Sequence, residues 1–142
     1  MEEKFFYCDT CGNLLIAAIA SGVVPDCCGH EMVQLEANTT DGNHEKHVPV
    51  VAYTSHHSLK VCVGSEPHPM THAHHISFVC LETASGFAVR FLKEEAPPEV
   101  CFRFNCRPVA VYAYCNIHGL WRVDIPQHEP EFHDDDCPDH LA

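Results

Sequence analysis

Basic residues, long apolar segments and helix-favouring stretches are all scarce in this 142-residue chain. Eight Lys and Arg face twenty Asp and Glu, so the formal net charge is −12. An acidic chain without a basic patch argues against a nucleic-acid partner. The longest apolar run, residues 14–24, is too short to cross a bilayer and contains Ser21 and Gly22. We therefore expect neither nucleic acid nor a membrane as a partner.

The amino-terminal sequence, Met1-Glu2-Glu3, is acidic, and no basic region precedes an apolar one. This pattern differs from a secretory signal, so we expect a cytoplasmic location. In a reducing cytosol, clustered cysteines serve as metal ligands more often than as disulfides. That expectation matters because the chain has ten cysteines and thirteen histidines.

The negative charge is distributed unevenly along the chain. Residues 1–36 carry six acids and one base, and residues 124–142 carry seven acids and no Lys or Arg. Residues 37–123 carry seven acids and seven bases, so this central part is neutral. An anionic substrate would meet the least repulsion there.

Seven short apolar runs follow residue 37, with polar, Gly or Pro stretches between them. They are rich in Val, Phe, Tyr and Thr, which favour strands. About seven strands at this spacing predict a mainly β fold, a β-sandwich formed by residues 37–142. An acidic, His-containing tail from about residue 126 is most simply a solvated end. The predicted strands are 49–53, 59–63, 75–81, 87–92, 100–104, 109–114 and 120–125.

The first 36 residues form a candidate metal-binding module. Cys8 and Cys11 make one pair, the adjacent Cys27 and Cys28 make a second, and a glycine follows each pair. Two such pairs can build a tetrahedral four-sulfur site, which suits zinc or iron. Adjacent ligands are unusual for an ordinary zinc ribbon. Spacing alone leaves iron and structural zinc about equally favoured, with disulfides third.

The module is too small to bury enough core to fold on its own. Its apolar residues 14–20 and 23–24 flank Ser21-Gly22, which predicts a turn between two short strands. Bound metal would supply the missing stability, because metal-binding free energy becomes folding free energy.

Histidine and cysteine also cluster in three segments of the second domain. The segments are 45–50, 68–75 and 114–121. Imidazole suits divalent iron, zinc or copper, and a thiolate adds a soft donor. Cys115 and His118 have the i, i+3 spacing that lets one loop supply two ligands. We interpret the other histidines as surface or hydrogen-bonded residues: His30, His44, His56, His57 and those of the tail.

These three segments, in this order, resemble the superoxide reductases. The matching motifs are Glu-Lys-His-Val-Pro-Val at 45–50, His-Pro-Met at 68–70 with a histidine six residues after the first, and Cys-Asn-x-His-Gly-x-Trp at 115–121. With the four-cysteine module, residues 5–125 resemble the two-iron form, desulfoferrodoxin. The resemblance implies an immunoglobulin-like β-sandwich behind a small desulforedoxin-like domain. It also implies an oxidoreductase that reduces superoxide to hydrogen peroxide by one electron, a detoxifying reaction.

The resemblance implies a reactive iron held by four histidines and one cysteine. His47, His68, His74 and His118 would surround the iron, and Cys115 would be the axial ligand. His75 falls where the family has an aromatic residue, and His72 competes with His74 on spacing alone. The resemblance also implies a second iron in the first module, bound by Cys8, Cys11, Cys27 and Cys28.

Two further residues and two partners follow from the same resemblance. Lys46 resembles the lysine that attracts superoxide, and Glu45 resembles the glutamate that closes on the oxidised iron. The enzyme would need a reduced electron donor, rubredoxin-like or other, and the family often forms homodimers. An alternative is an electron-transfer or redox-sensing protein of the same fold without superoxide turnover. A third reading is a zinc ribbon fused to a sandwich interaction domain.

Five cysteines belong to no motif of the family. Cys80 lies in a predicted strand and is best explained as a small buried hydrophobe. A disulfide between Cys101 and Cys106 is conceivable but has no support in a cytosolic protein. Cys62 and Cys137 have no assigned role.

Overall fold

The fold is described from a computed structural model of the chain. The structure describes residues 4–40 and 42–126, so the predicted tail, including Cys137 and its histidines, lies outside the described residues. Packing divides the chain into two compact units, Met1–Thr39 and Thr40–Ala142.

The first unit is built from short strands around a small core. One strand is central to a three-stranded antiparallel sheet, and two further strands form a separate hairpin. Its buried core contains Phe6, Cys8 and Met32. The strands are β1 (Phe5–Tyr7), β2 (Leu14–Ile16), β3 (Asp26–Cys27), β4 (His30–Glu31) and β5 (Val33–Gln34), and the sheet order is β2-β1-β5.

The chain bends at Gly22, where the sequence predicts a turn, but the predicted second strand at Val23-Val24 does not form. Gly22 has φ +93°, and the Ser21 hydroxyl accepts the Val23 N–H at 3.3 Å. No strand forms over residues 17–25. Val23 is 76% exposed, and Val24 precedes Pro25, which has no N–H to donate to a sheet.

The second unit contains the seven strands that the sequence predicts, arranged in two antiparallel sheets. One sheet has the order β10-β7-β6 and the other β12-β11-β8-β9. Side chains from both sheets form one core, so the predicted mainly β sandwich is confirmed. The strands are β6 (Pro49–Ser55), β7 (Ser58–Val63), β8 (Ile76–Thr83), β9 (Gly86–Phe91), β10 (Glu99–Arg103), β11 (Pro108–Cys115) and β12 (Gly119–Asp124).

Period-two alternation directs side chains into this core. Along β11, Val111, Ala113 and Cys115 are all fully buried members of the core cluster. Cys115 therefore ends a row of core residues, and its position is fixed by the sandwich. Cys80 in β8 is also fully buried, as predicted, and burial raises its pKa to about 12.

A four-residue helix, α1 (His44–His47), precedes the sandwich and was not predicted. It follows Asn43 and ends at Val48, whose extended backbone leads into Pro49 and β6. One turn is too short to produce a helical apolar period. Within the described part of the chain, no helix has the length and apolar character needed to cross a bilayer.

Candidate metal centres

The sandwich brings the three predicted segments together at the same end of its strands. His47 is the last residue of α1, just before β6. His68 and His74 lie in the loop between β7 and β8, and Cys115 and His118 lie at the turn from β11 to β12. Pairing of Cys115 with Gly119 and Ile76 places the ends of these strands side by side.

Five potential ligand atoms converge there. His47 Nε2 lies 3.0 Å from His118 Nδ1 and 3.1 Å from His68 Nε2. Cys115 Sγ is 3.8 Å from His118 Nδ1. The donor atoms of His47, His74, Cys115 and His118 all lie within 4.8 Å of one another. His74 Nε2 is buried without a hydrogen-bond partner, as expected for a nitrogen whose partner is a metal ion.

Hydrogen bonds behind two of the rings decide which nitrogens face inward. His47 Nδ1 donates to the Asn43 carbonyl at 2.7 Å, and His68 Nδ1 donates to the Pro69 carbonyl at 2.6 Å. Each neutral ring therefore presents a bare Nε2 lone pair to the centre. Two such lone pairs 3.1 Å apart repel each other unless a cation lies between them. The residues therefore fit a metal ion.

Burial favours the neutral, metal-binding form of three of these imidazoles. It lowers the pKa of His68 to about 4. Burial is also the main cause of the lowered pKa values of His47 and His74, and the Lys46 charge adds a smaller effect to both. Burial raises the pKa of Cys115, although the backbone N–H of His118 donates to its sulfur at 3.4 Å and opposes that rise. A metal cation would favour the thiolate.

The donor set suits iron. Four neutral nitrogens and one thiolate are borderline-soft ligands, which iron accepts. Five protein donors would leave an octahedral ion one further position for a small molecule, and such a position separates a reactive metal from a structural one.

Two residues that pack against the histidine rings were not predicted from the sequence to shape the site. A Cβ at Gly42 would come within 3.3 Å of the rings of Trp121, His118 and His47, so only glycine fits without a shift. Trp121 stacks on His47 with ring centroids 4.8 Å apart, and its indole N–H donates to the His118 carbonyl at 3.1 Å. The sequence showed Trp121 as part of a motif, but nothing in it pointed to Gly42.

His72, which competes with His74 on spacing, and His75 both lie outside the cluster. His72 is 92% exposed and its Nδ1 lies 3.0 Å from Glu94 Oε1. The ring of His75 interacts instead with the Thr71 carbonyl, 3.0 Å from its Nδ1. Of the histidines at 72, 74 and 75, only His74 joins the group of potential ligands.

Helix α1 carries Glu45 and Lys46 beside the site. Lys46 is half-buried, and the Glu45 side chain is exposed. The Glu45 carbonyl accepts the Glu66 N–H at 2.9 Å and the Ser65 hydroxyl at 3.2 Å, which anchors the helix. Gly64 makes this approach possible, because its φ is +85° and a Cβ there would lie 2.7 Å from the Glu45 carbonyl oxygen.

The four cysteines of the first unit also meet. Cys11 Sγ lies 3.6 Å from Cys27 Sγ, which lies 3.9 Å from Cys28 Sγ. A tetrahedron with metal–sulfur bonds of about 2.3 Å has edges of about 3.8 Å, so this spacing fits one metal ion. All four, including Cys8, are free thiols rather than disulfides. Cys28 has φ +53°, a strained left-handed backbone that accompanies the adjacency of the second pair.

The thiols of Cys8 and Cys28 differ in how readily they ionise without a cation. The pKa of Cys8 is lowered to about 6, mainly because the backbone N–H of Cys11 donates a hydrogen bond to its sulfur. Interaction with the Cys11 sulfur is the main cause that raises the pKa of Cys28 to about 12. A metal ion would supply the charge that stabilises all four thiolates.

The remaining cysteines make no further cluster among the described residues. Cys101 is a free, exposed thiol, so no disulfide joins it to Cys106. Cys62 donates to Glu99 Oε2 at 3.5 Å, and the Ser85 hydroxyl donates to Cys106 Sγ at 3.0 Å.

Comparisons with known proteins agree on one family. A family model described as desulfoferrodoxin matches residues 39–124. The chain is 40% identical over 124 residues to the desulfoferrodoxin of Syntrophotalea carbinolica, covering 85% of this chain and 97% of the relative. It is 36% identical over 123 residues to the desulfoferrodoxin of Nitratidesulfovibrio vulgaris, covering 87% and 97%. The crystal structure of the superoxide reductase from Treponema pallidum matches with a TM-score of 0.71 and 33% identity, covering 85% of this chain and 98% of that chain.

The lowered pKa of His68 predicts a pH-dependent stability of the metal-free protein. The folded pKa of about 4 lies below the unfolded value of about 6.5. The neutral His68 ring therefore makes its full contribution to the free energy of unfolding above about pH 6.5. That contribution, on the order of 3 kcal/mol, is lost as the pH falls to about 4. Chemical denaturation of chelator-treated protein across this range measures the slope. The slope should become shallower in His68→Gln; equal slopes in wild type and His68→Gln would contradict the assignment.

The two histidines at 72 and 74 form a matched pair for testing the ligand set. We expect His74→Gln to lose the metal of the sandwich site, because its Nε2 is one of the converging donors. His72→Gln should retain it, because that ring faces Glu94. Metal analysis after dialysis gives the answer: about one metal per chain should disappear in the first variant and none in the second. The reverse pattern would exclude His74 as a ligand.

Proposed function

Because the chain belongs to the desulfoferrodoxin family, we propose that it is an oxidoreductase that reduces superoxide to hydrogen peroxide at the sandwich site. The convergence of four imidazole nitrogens and the Cys115 sulfur is the observation that carries this function. A relative of known structure with this fold is named as a superoxide reductase.

We assign His47, His68, His74, His118 and Cys115 as the residues that would hold the sandwich iron. When bound, iron would supply one-electron redox chemistry, and an external donor would supply the electrons for repeated turnover. Overall, superoxide, one electron and two protons give hydrogen peroxide. With neutral imidazoles and the Cys115 thiolate that a bound cation would favour, a ferrous centre would have a net charge of about +1, which attracts an anion.

Lys46 and Glu45 are assigned as the second group of functional residues. The Lys46 ammonium adds positive charge beside the open position, which raises the rate at which superoxide arrives. Its influence on the pKa values of His47 and His74 supports this placement. Glu45 lies next to it on α1, where its carboxylate is exposed and free to approach the oxidised iron, as the family resemblance implies.

We assign the first module, residues 1–36, to a second iron held by Cys8, Cys11, Cys27 and Cys28. The sulfur spacing supports a tetrahedral ion, and iron and zinc both fit that geometry. Such an ion stabilises a unit whose buried core is small.

The remaining parts of the proposal concern the cell. We infer a cytoplasmic, reducing environment, since both sites need free thiolates. The electron donor would be a small reduced electron-transfer protein of the rubredoxin type, and the chain would form a homodimer. The reaction would protect the cell against superoxide.

The peroxide yield tests the proposed reaction. We expect one hydrogen peroxide for each superoxide consumed when a reduced donor is supplied, whereas dismutation gives one for every two. Donor oxidation and peroxide are measured together under a steady flux of superoxide. Cys115→Ser is the control and should lose turnover. Oxidation of the iron by superoxide without repeated donor consumption would favour an electron-transfer or redox-sensing protein instead.

Lys46→Ala and Lys60→Ala form a second matched pair. Lys46→Ala should slow the bimolecular reaction of the reduced protein with superoxide by about tenfold at low ionic strength, and added salt should reduce the difference. Lys60 pairs with Glu99 at 3.1 Å on the sheet surface, so Lys60→Ala should leave the rate unchanged. Pulse radiolysis or stopped flow measures these rates. Equal rates for wild type and Lys46→Ala at low salt would remove Lys46 from this role.

A further inference from the structure

Asn116, the residue after Cys115, is bonded to the loop that carries His74. Its side-chain oxygen accepts the His75 N–H at 2.8 Å, and its side-chain nitrogen donates to the Ala73 carbonyl at 3.0 Å. Its backbone N–H donates to the His75 carbonyl at 3.1 Å. One residue therefore binds the chain on both sides of His74.

This connection is made at the end of the ladder between β11 and β8. The pairing of the two strands shifts register between Tyr114 and Cys115, and the pair of Cys115 with Ile76 is its last. Beyond that pair, one backbone bond, from the Asn116 N–H to the His75 carbonyl, continues the contact. The two bonds of the Asn116 amide reinforce this contact and extend it to Ala73.

Other bonds of the same loop do not provide this link. Thr71 closes the loop on itself. Its hydroxyl accepts the backbone N–H of His74 at 3.1 Å, and its own backbone N–H donates to the His74 carbonyl at 3.0 Å. These contacts shape the loop around His74 but do not reach the turn that carries Cys115. In the described part of the chain, the Asn116 amide joins the two loops by the contacts given above.

We propose that Asn116 is a positioning residue that sets the separation of His74 and Cys115, and so fixes the geometry of the sandwich metal site. This inference rests on the proposed function only in naming iron as the natural metal. Asn116 itself touches no substrate. A fixed spacing matters because a partner that orients a ligand contributes strongly to metal affinity and to the electronic state of the metal.

The exposure of Asn116 makes the proposal testable by substitution. Its side chain is exposed, so Asn116→Ala removes the two bonds without opening a cavity in the core. Asn116→Asp keeps an acceptor for the His75 N–H but has no N–H for the Ala73 carbonyl. Asn105 is another exposed asparagine, outside the site, and Asn105→Ala is the control.

The measurement is made on the iron-loaded full chain. The absorption band of the ferric thiolate is identified as the one absent from Cys115→Ser, and it reports the sandwich site alone. We expect Asn116→Ala to shift this band, to change the midpoint potential of the site and to lose ferrous iron to a chelator about 10- to 100-fold more readily. Asn116→Asp should weaken iron binding too, and Asn105→Ala should match wild type.

An unshifted band with wild-type iron retention in folded Asn116→Ala would overturn the proposal. Should that variant fail to fold, the same comparison in Asn116→Asp decides the matter. These readouts need no superoxide, so loss of iron affinity would support the positioning role even if the protein failed to reduce superoxide.

Discussion

The buried Nε2 atoms of His47 and His68 meet 3.1 Å apart while their Nδ1 atoms donate to backbone carbonyls. Neutral imidazoles in that arrangement turn lone pairs toward each other, which is unfavourable without a cation. Burial prevents the alternative of protonating the rings near neutral pH, since it lowers the pKa of His68 to about 4. The site is therefore preorganised for a metal ion.

The sandwich keeps these donors close by anchoring each segment separately. Cys115 belongs to the buried row of β11, so it cannot retreat from the centre. The turn at Gly64 holds the backbone of α1, and Trp121 stacks against the ring at the end of that helix. Asn116 joins the loop of His74 to the turn of Cys115. Backbone contacts and small residues thus fix the spacing that the metal requires.

Much of this was predictable from the sequence because its signals are local. Apolar runs and turn residues predicted the seven strands, and the order of the His and Cys motifs indicated the metal chemistry.

Spacing could not separate His72 from His74, because both positions follow a rigid His68-Pro69 corner and the choice depends on how the loop packs. Likewise, β11 alternation did not reveal the register shift at Cys115 that gives Asn116 its importance. Gly42 and Gly64 act through contacts with distant segments, which no local pattern encodes. The predicted strand at Val23-Val24 does not form. A strand needs hydrogen-bonded partners, and Pro25 has no backbone N–H to donate to one.

The central claim is that this chain carries a reactive iron in its sandwich and a second metal in its cysteine module. The most direct test is iron and zinc content per chain in wild type and Cys115→Ser, purified without added metal. The account predicts two metals in the wild type, with iron in the sandwich site, and loss of that iron alone in the variant. Zinc in the sandwich site that persists after reconstitution with ferrous iron would contradict it.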